Sequence, residues 1–509
     1  MIRRLRRLLG MGPRGGPAMP PSDDASVPVV GENLLLISDL HLGEACKEHS
    51  RIEYLKRGAE YDAHICAFLD HYTHHRPGGR PWRLVLGGDL FDFLQVTIVP
   101  DGADEEARRY GLGTREEESA WKLARLMERH RSVFVFLAGF IGAGHRVEVV
   151  QGNHDEELFW PRVRDALVQG LVDLFFGGED GAGDDPEAFA SRIHFNAWVY
   201  SQPGLLYVEH GHRFDEFCTT PPQLCPLRPQ AEDELSVPMS GLAIRYFANL
   251  ERGFKTHDKE HWRVPDYVRY YKAQGSLLKA VAGVGHRYMT LVARAVSYHL
   301  QHGRFQSEQA EAAHQERARE LCERADVTPE QLGVLESLGA SSVMASPLGI
   351  YAILGMGEMT SVVAALLTLI LLLCVEWGAV IELGIFGLVL GAGYAWSRFV
   401  RSRFPTDIQR KLDEKAEAIS RLLDVPVVAM GHCHRARRRR MDWNHRRFYI
   451  NTGNFIAPEV QRHRDGERCS CPTTFVELHD PGPKVANPLL KRWCCVKNEA
   501  LTYEPSTPR

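Results

Sequence analysis

Five short apolar runs, each ending abruptly in small polar and ionisable residues, constrain this chain more than any other feature. LLLIS leads into DLHLG at Asp39, RLVL into GGDLFDFL at Gly87, VEVVQ into GNHDEE at Gly152, LLYVE into HGHRFD at His210, and VPVVAM into GHCHR at Gly431. Such endings serve poorly as core and are unusual as plain surface. Ligands of α/β sheets collect at the carboxyl ends of strands, where loops converge, so the repetition predicts strands that present their ends to one site. Between Leu34 and about His212 the runs alternate with helix-like stretches such as Arg115 to Arg129, the pattern of a layered α/β domain.

The residues at these ends have a common chemistry. Asp39 and His41 lie two apart, Asp89 follows the second run, Asn153 the third and His210 the fourth; His432 and His434 repeat the two-residue spacing after the fifth. In extended backbone that spacing puts both side chains on one face and turns Cys433 away. The seven nitrogen and oxygen donors suit borderline divalent metals such as Mn, Fe, Zn, Ni or Co, and the lack of thiolates among them argues against a structural zinc. Seven donors are too many for one tetrahedral ion and match two ions sharing a carboxylate. Two such ions about 3.5–4 Å apart can clamp a phosphoryl oxygen and acidify a bridging water until hydroxide is available near neutral pH, which is the chemistry of phosphoester or phosphoanhydride hydrolysis. One Asp-x-His among 23 histidines would carry little weight. Five ordered clusters carry a great deal.

The ordered set DLH (Asp39 to His41), GDLFD (Gly88 to Asp92), GNHD (Gly152 to Asp155), HGH (His210 to His212) and GHCH (Gly431 to His434) resembles the calcineurin-like metallophosphoesterase superfamily over about residues 32–217 and 424–480. The resemblance implies a layered α/β/β/α sandwich in which Asp39, His41 and His434 hold one metal, Asn153, His210 and His432 hold the other, and Asp89 bridges. It also implies that His154 acts on the leaving group or a phosphoryl oxygen, oriented by Asp155, a use that suits an imidazole whose pKa a neighbouring carboxylate raises. His212 and Asp215 would stand behind the ligands and orient them. Phe93 and Leu94 occupy the place where the Ser/Thr protein phosphatases carry an Arg. GDLFDF, GNHDE, HGHRFD and YINTGNF (Tyr449 to Phe455) look more like the branch of UDP-2,3-diacylglucosamine pyrophosphatases, which cut a nucleotide diphosphate-linked lipid at the membrane surface; GHCH running into RARRRR departs from that branch.

The two parts of this domain, 31–217 and 425–480, flank an insertion of different character. A helical cap is expected over 218–345: Met239 to Phe305 carries eleven Lys/Arg against four Asp/Glu, and Gln306 to Arg324 is a charged, Ala/Glu-rich helix. Ser361 to Val375 is then free of charge, and Trp377 to Trp396 is apolar except for Glu382. Together they predict a two-span membrane hairpin within 346–397, the first span borrowing from Ile350 to Thr360 to reach the roughly 20 residues a bilayer needs. Ligand clusters on both sides of the hairpin require both flanks on one side of the membrane, and the arginines and lysine from Arg398 to Lys411 put that side in the cytoplasm. A return helix is expected over 398–424.

A formal charge of -4 gives no global attraction to nucleic acid, and eleven cysteines without a repeating frame fit reduced thiols in a cytosolic compartment. The expected partners are therefore a phosphoester or nucleotide-diphosphate-linked substrate, plausibly a lipid, and the membrane. Residues 1–30 form a basic tail and linker whose apolar run is too short for a signal peptide, and 481–509 form a C-terminal tail. Arg435 to Arg440 belong to a hairpin turning near Asp442 to Asn444, whose basic face meets either water or phosphate. His445, His49 and His71 to His75 read as surface histidines. Two other functions use the same residues: a soluble phosphatase in which the apolar hairpin is buried, and a membrane scaffold that keeps the fold without turnover.

Overall fold

The computed structural model describes residues 31–43, 46, 52–177, 185–229, 231–250, 277–301, 308–374, 378–403, 407–442, 446–455, 473–479, 488–494 and 497–503. The tail at 1–30, Trp377, His49 and His445 lie outside them. The chain is a mixed α/β protein. Its strands are β1 (Asn33–Ile37), β2 (Trp82–Gly87), β3 (Arg146–Val150), β4 (Ile193–Asn196), β5 (Tyr200–Gln202), β6 (Leu206–Val208), β7 (Leu227–Arg228), β8 (Ala231–Leu235), β9 (Val427–Met430), β10 (Arg437–Arg440), β11 (Phe448–Asn451), β12 (Thr474–Leu478), β13 (Leu489–Cys494) and β14 (Glu499–Thr502). One sheet of seven runs β14-β13-β12-β1-β2-β3-β4 and a second of five runs β10-β11-β9-β6-β5. Within them β1 to β4 are mutually parallel, as are β6, β9 and β11.

The period of two along each strand explains the layers. Leu34 and Leu36 of β1 share one core with Val85 and Val150 of the first sheet and with Leu206, Val208, Val427, Ala429 and Ile450 of the second, so the two sheets pack on each other. The alternate residues Leu35, Ile37, Leu84, Leu86, Val147 and Val149 face Phe68, Phe134, Phe140 and Val163 of the helices outside the first sheet. On the far side Tyr207, Val428, Met430 and Tyr449 meet Leu412, Ala416 and Ile419 of the helix Ile408–Leu422, with Leu321 and Leu335 of the insertion. Burial on both faces is why these strands read as nearly unbroken apolar runs rather than as alternating ones.

Several boundaries differ from expectation. Residues 489–502 are not a tail: β13 and β14 extend the first sheet antiparallel to β12, and Trp493 is fully buried against Phe68. Lys491 and Arg492 in the middle of β13 obscure this strand in the sequence. The basic hairpin is present as β10 and β11, but Arg437, Arg438 and Arg439 are engaged with protein while Arg440 is exposed. Arg437 pairs with Asp413 at 3.0 Å, and Arg439 stands 3.6 Å from Glu417. In the insertion, the charged helix is Glu308–Ala325 and a strand pair, β7 with β8, accompanies the helices.

The apolar segments form the helices Met356–Cys374 and Ala379–Ser402, each long and apolar enough to cross a membrane. The first does not borrow from residues 350–355, because Pro347–Ile353 is a separate helix and Gly355 turns the chain with φ +67. Glu358 thus sits in the first turn at one end, and Glu382 in the first turn of the second helix at the other. At their seam Ser361 Oγ donates to the carbonyl of Gly393 at 3.2 Å, the close approach that small residues permit. The hairpin is not covered by the rest of the described chain: Leu373 is 78% exposed and Val380 86%.

Candidate metal centre

The carboxyl ends of β1, β2, β3, β6 and β9 converge, and with them the residues that follow. Asp39, His41 and His434 lie close enough to share an ion, as do Asp39, Asp89 and His210. His41 Nε2 stands 3.1 Å from His434 Nε2 and 3.8 Å from Asp89; His434 Nε2 lies 3.2 Å from Asp39; His210 Nε2 lies 3.0 Å from Asp89. His432 joins through its ring, 5.4 Å from that of His210, and through its backbone N–H, which donates to the Asp39 carboxylate at 3.1 Å. Asn153 is buried in the loop after β3, between Gly152 and His154, its Oδ1 without a protein partner.

The local backbone that achieves this is not the extended one inferred from spacing. Asp39, His41, Asp89, His432 and His434 all have positive φ, between 51° and 68°, and make up five of the eight non-glycine residues of that kind among those described. Each such conformation costs about 1–3 kcal/mol and persists where the surroundings enforce it, commonly at functional sites. The spaced pairs therefore converge by tight left-handed turns. Two glycines make room: a Cβ at Gly152 would overlap the Asp89 carboxylate, and one at Gly431 would overlap that of Asp39.

Three of the imidazoles, those of His41, His210 and His432, have one nitrogen committed elsewhere, which fixes the nitrogen left for the centre. His210 Nδ1 donates to the Gly87 carbonyl at 3.0 Å, and His41 Nδ1 binds Asp92 at 3.0 Å, so both offer Nε2. His432 Nε2 binds Asp215 at 3.1 Å, so it offers Nδ1. The expectation for Asp215 as an orienting residue fits this geometry. His212 is buried behind His210, with its Nε2 2.9 Å from Gln223 Nε2.

The pairing of His154 with Asp155 is corrected. Asp155 is fully buried and accepts two backbone N–H groups, from Gly152 at 2.6 Å and from Leu90 at 2.7 Å; it braces the loop. The carboxylate against His154 Nδ1 is that of Asp92, which also holds His41 and accepts from Gln95 Nε2 at 2.6 Å. His154 Nε2 is then directed at the centre, 4.0 Å from Asp89. Asp92 was visible as the second Asp of Gly-Asp-Leu-Phe-Asp, but nothing in the sequence indicated that it would reach across to the loop after β3. Ser38, which donates to Asp39, and Asn451, whose Nδ2 donates to the Gly431 carbonyl at 2.6 Å, are further supports not singled out from sequence. Cys433 packs into the core on the helix side of the second sheet.

Electrostatics follow the packing. Burial alone would raise the Asp89 carboxyl, but His210, His154 and His41 around it hold it well below the usual carboxylate range. Burial would likewise raise the Asp39 carboxyl, but the hydrogen bond from His434 and the charges of His210 and His434 outweigh it and hold the group below its ordinary value. Burial and the nearby charge of Asp89 push Asp155 up to about 7. The site is thus a sink of negative charge lined by imidazoles. Its donors fit a pair of divalent cations: the orphaned Asn153 Oδ1 needs a positive partner, and the facing Nε2 atoms of His41 and His434 cannot both carry hydrogen. No family model, curated protein or solved structure matches the chain.

Proposed function

We propose that the protein is a membrane-anchored, dinuclear metal-dependent phosphoesterase or pyrophosphatase, with the layered sandwich of the calcineurin-like metallophosphoesterases it resembles. The observation that carries this reading is the convergence of Asp39, His41, Asp89, His210 and His434, with His154 and His432 against them, from five strand ends, Asp39, His41, Asp89, His432 and His434 being in enforced left-handed backbone. Asp39, His41 and His434 would hold one cation, Asn153, His210 and His432 the other, and Asp89 both. Two such cations supply Lewis acidity toward a phosphoryl oxygen and toward the attacking water. The chain's own residues do the rest. His154, its Nδ1 fixed by Asp92, presents Nε2 as the donor of a proton to the departing oxygen. Gln95, Asp155 and Gly152 keep that loop against Asp89.

The apolar hairpin supports membrane anchoring, since its faces lack a protein cover among the described residues. With two spans both flanks lie on one side, and Arg398, Arg401 and Arg403 make it the cytoplasmic side. An amphiphilic or nucleotide-linked diphosphate fits that setting. The test is detergent-purified protein, stripped of metal and reloaded with Mn²⁺, assayed on bis-p-nitrophenyl phosphate and on a UDP-linked lipid. Metal-dependent turnover that disappears in Asp89→Ala is expected. Turnover at the wild-type rate in that variant would overturn the reading, and bound metal without turnover on either substrate would favour the scaffold.

A further inference from the structure

Outside the hairpin, the large hydrophobic residues that stand exposed are few among the described residues, and three of them share one helix. Met289, Val296 and Leu300 of Leu277–Gln301 are exposed, with Ala293 exposed between them. Their spacing of four, three and four residues draws a continuous stripe along one face. The opposite face is buried: Leu291 and Ala295 pack with Met239, Leu242, Tyr246, Val343, Met344 and Ile350. The helix contains Lys279, Arg287 and Arg294 and no acidic residue.

The position of this helix says what covers the stripe. Tyr288 OH donates to the carbonyl of Leu354 at 2.8 Å, two residues before the first apolar helix begins at Met356. At the same end of the hairpin, Trp396 Nε1 donates to Tyr351 OH at 3.1 Å, and the Trp396 ring stacks on Phe399. Arg398 and Arg403 lie over Tyr394 and Phe399. Aromatic rings with arginines at a helix end mark the boundary between bilayer and water. The stripe therefore adjoins that boundary, on a basic amphipathic helix of the kind that lies in the headgroup region.

We propose that Leu277–Gln301 is a third membrane contact, with Met289, Ala293, Val296 and Leu300 seated at the headgroup–acyl boundary of a leaflet containing anionic lipid. This rests on the hairpin lying in a bilayer. It has a consequence for the metal centre, because the hydrophobic cluster beneath the stripe also includes Leu94 and Phe217, each two residues from a carboxylate that holds a centre imidazole, Asp92 and Asp215. The centre is thereby held within a few side-chain layers of the lipid surface, which suits an ester whose acyl chains stay in the leaflet.

The full chain is reconstituted in phosphatidylcholine/phosphatidylglycerol vesicles carrying a diazirine on the acyl chain, irradiated, and mapped by peptide mass spectrometry. Lipid adducts are expected on the peptide spanning 285–300 and on the hairpin, and not on Glu116–Arg129. In Val296→Glu/Leu300→Glu the adducts on 285–300 should fall to background while those on the hairpin persist. Adducts on the hairpin alone would overturn the surface helix and leave the hairpin in place. Adducts on neither would overturn both. Disulfide-linked dimers formed through Ser297→Cys in the same vesicles, without lipid adducts on 285–300, would assign the stripe to a second copy instead.

Discussion

Replacing Asp92 and Asp155 in turn separates two carboxylates that the sequence does not distinguish. The Asp92 side chain is fully buried and binds His154 Nδ1, His41 Nδ1 and Gln95 Nε2. Asp92→Asn keeps the shape but removes the charge that supports a protonated His154. A hydrogen bond to a charged group is worth about 1.5–3 kcal/mol, so kcat should fall roughly 10- to 150-fold with KM little changed. Because His41 also leans on Asp92, metal affinity should fall about 10- to 100-fold, and the rates must be taken at saturating metal. Asp155→Asn acts elsewhere. It sets an amide NH₂ against one of two backbone N–H groups, Gly152 or Leu90, at a cost of about 1–3 kcal/mol of folding stability. The expected signature is a lower Tm with most of the turnover retained. The assay is initial-rate hydrolysis of bis-p-nitrophenyl phosphate beside a thermal melt and metal analysis of each variant. If Asp155→Asn loses kcat as severely as Asp92→Asn while remaining folded and metal-loaded, or if Asp92→Asn turns over like wild type, the assignment of Asp92 as the support of His154 is refuted.

Other perturbations follow from particular contacts. Gly152→Ala drives a methyl into the Asp89 carboxylate, and equilibrium dialysis should show metal affinity lowered by at least about tenfold, as for disturbed support of a ligand. His145 accepts the Trp82 backbone N–H through Nδ1 at 2.8 Å, a bond only the neutral ring can make, and burial lowers its pKa to about 3. Its unfolded counterpart takes a proton below about pH 6.5 while the folded form does not, so stability present above that pH is lost progressively as pH falls toward 3. Between pH 7 and 5 the loss should be about 2 kcal/mol in urea denaturation, and His145→Asn should flatten that part of the pH profile. Lys122 and Glu157 form a fully buried pair at 2.8 Å; Lys122→Met alone should cost about 3–5 kcal/mol in a thermal melt, and Lys122→Met/Glu157→Leu should recover most of it.

What was legible in the sequence follows from local physics. Strands buried on both faces appear as unbroken apolar runs, and the polar residues that end them are conspicuous because they serve no packing purpose there. That is why Asp39, Asp89, Asn153, His210 and His432 could be placed at strand ends, and why the hairpin stood out by composition alone. Residues whose role depends on what lies opposite were not legible. Asp92 and Asp155 are both acidic residues next to a motif, and only the approach of the loop after β2 to the loop after β3 decides which one meets His154. Nothing in Leu489–Cys494 distinguishes a strand from a tail until β12 and β14 are there to pair with it. The left-handed turns at Asp39 and His434 are likewise unfavourable locally and exist because the surrounding fold enforces them. Composition and periodicity thus determined the elements and the chemistry available at their ends. Which side chain touches which, and the place of the apolar stripe beside the hairpin, were decided by contacts between segments far apart in the chain, where local propensity carries no information.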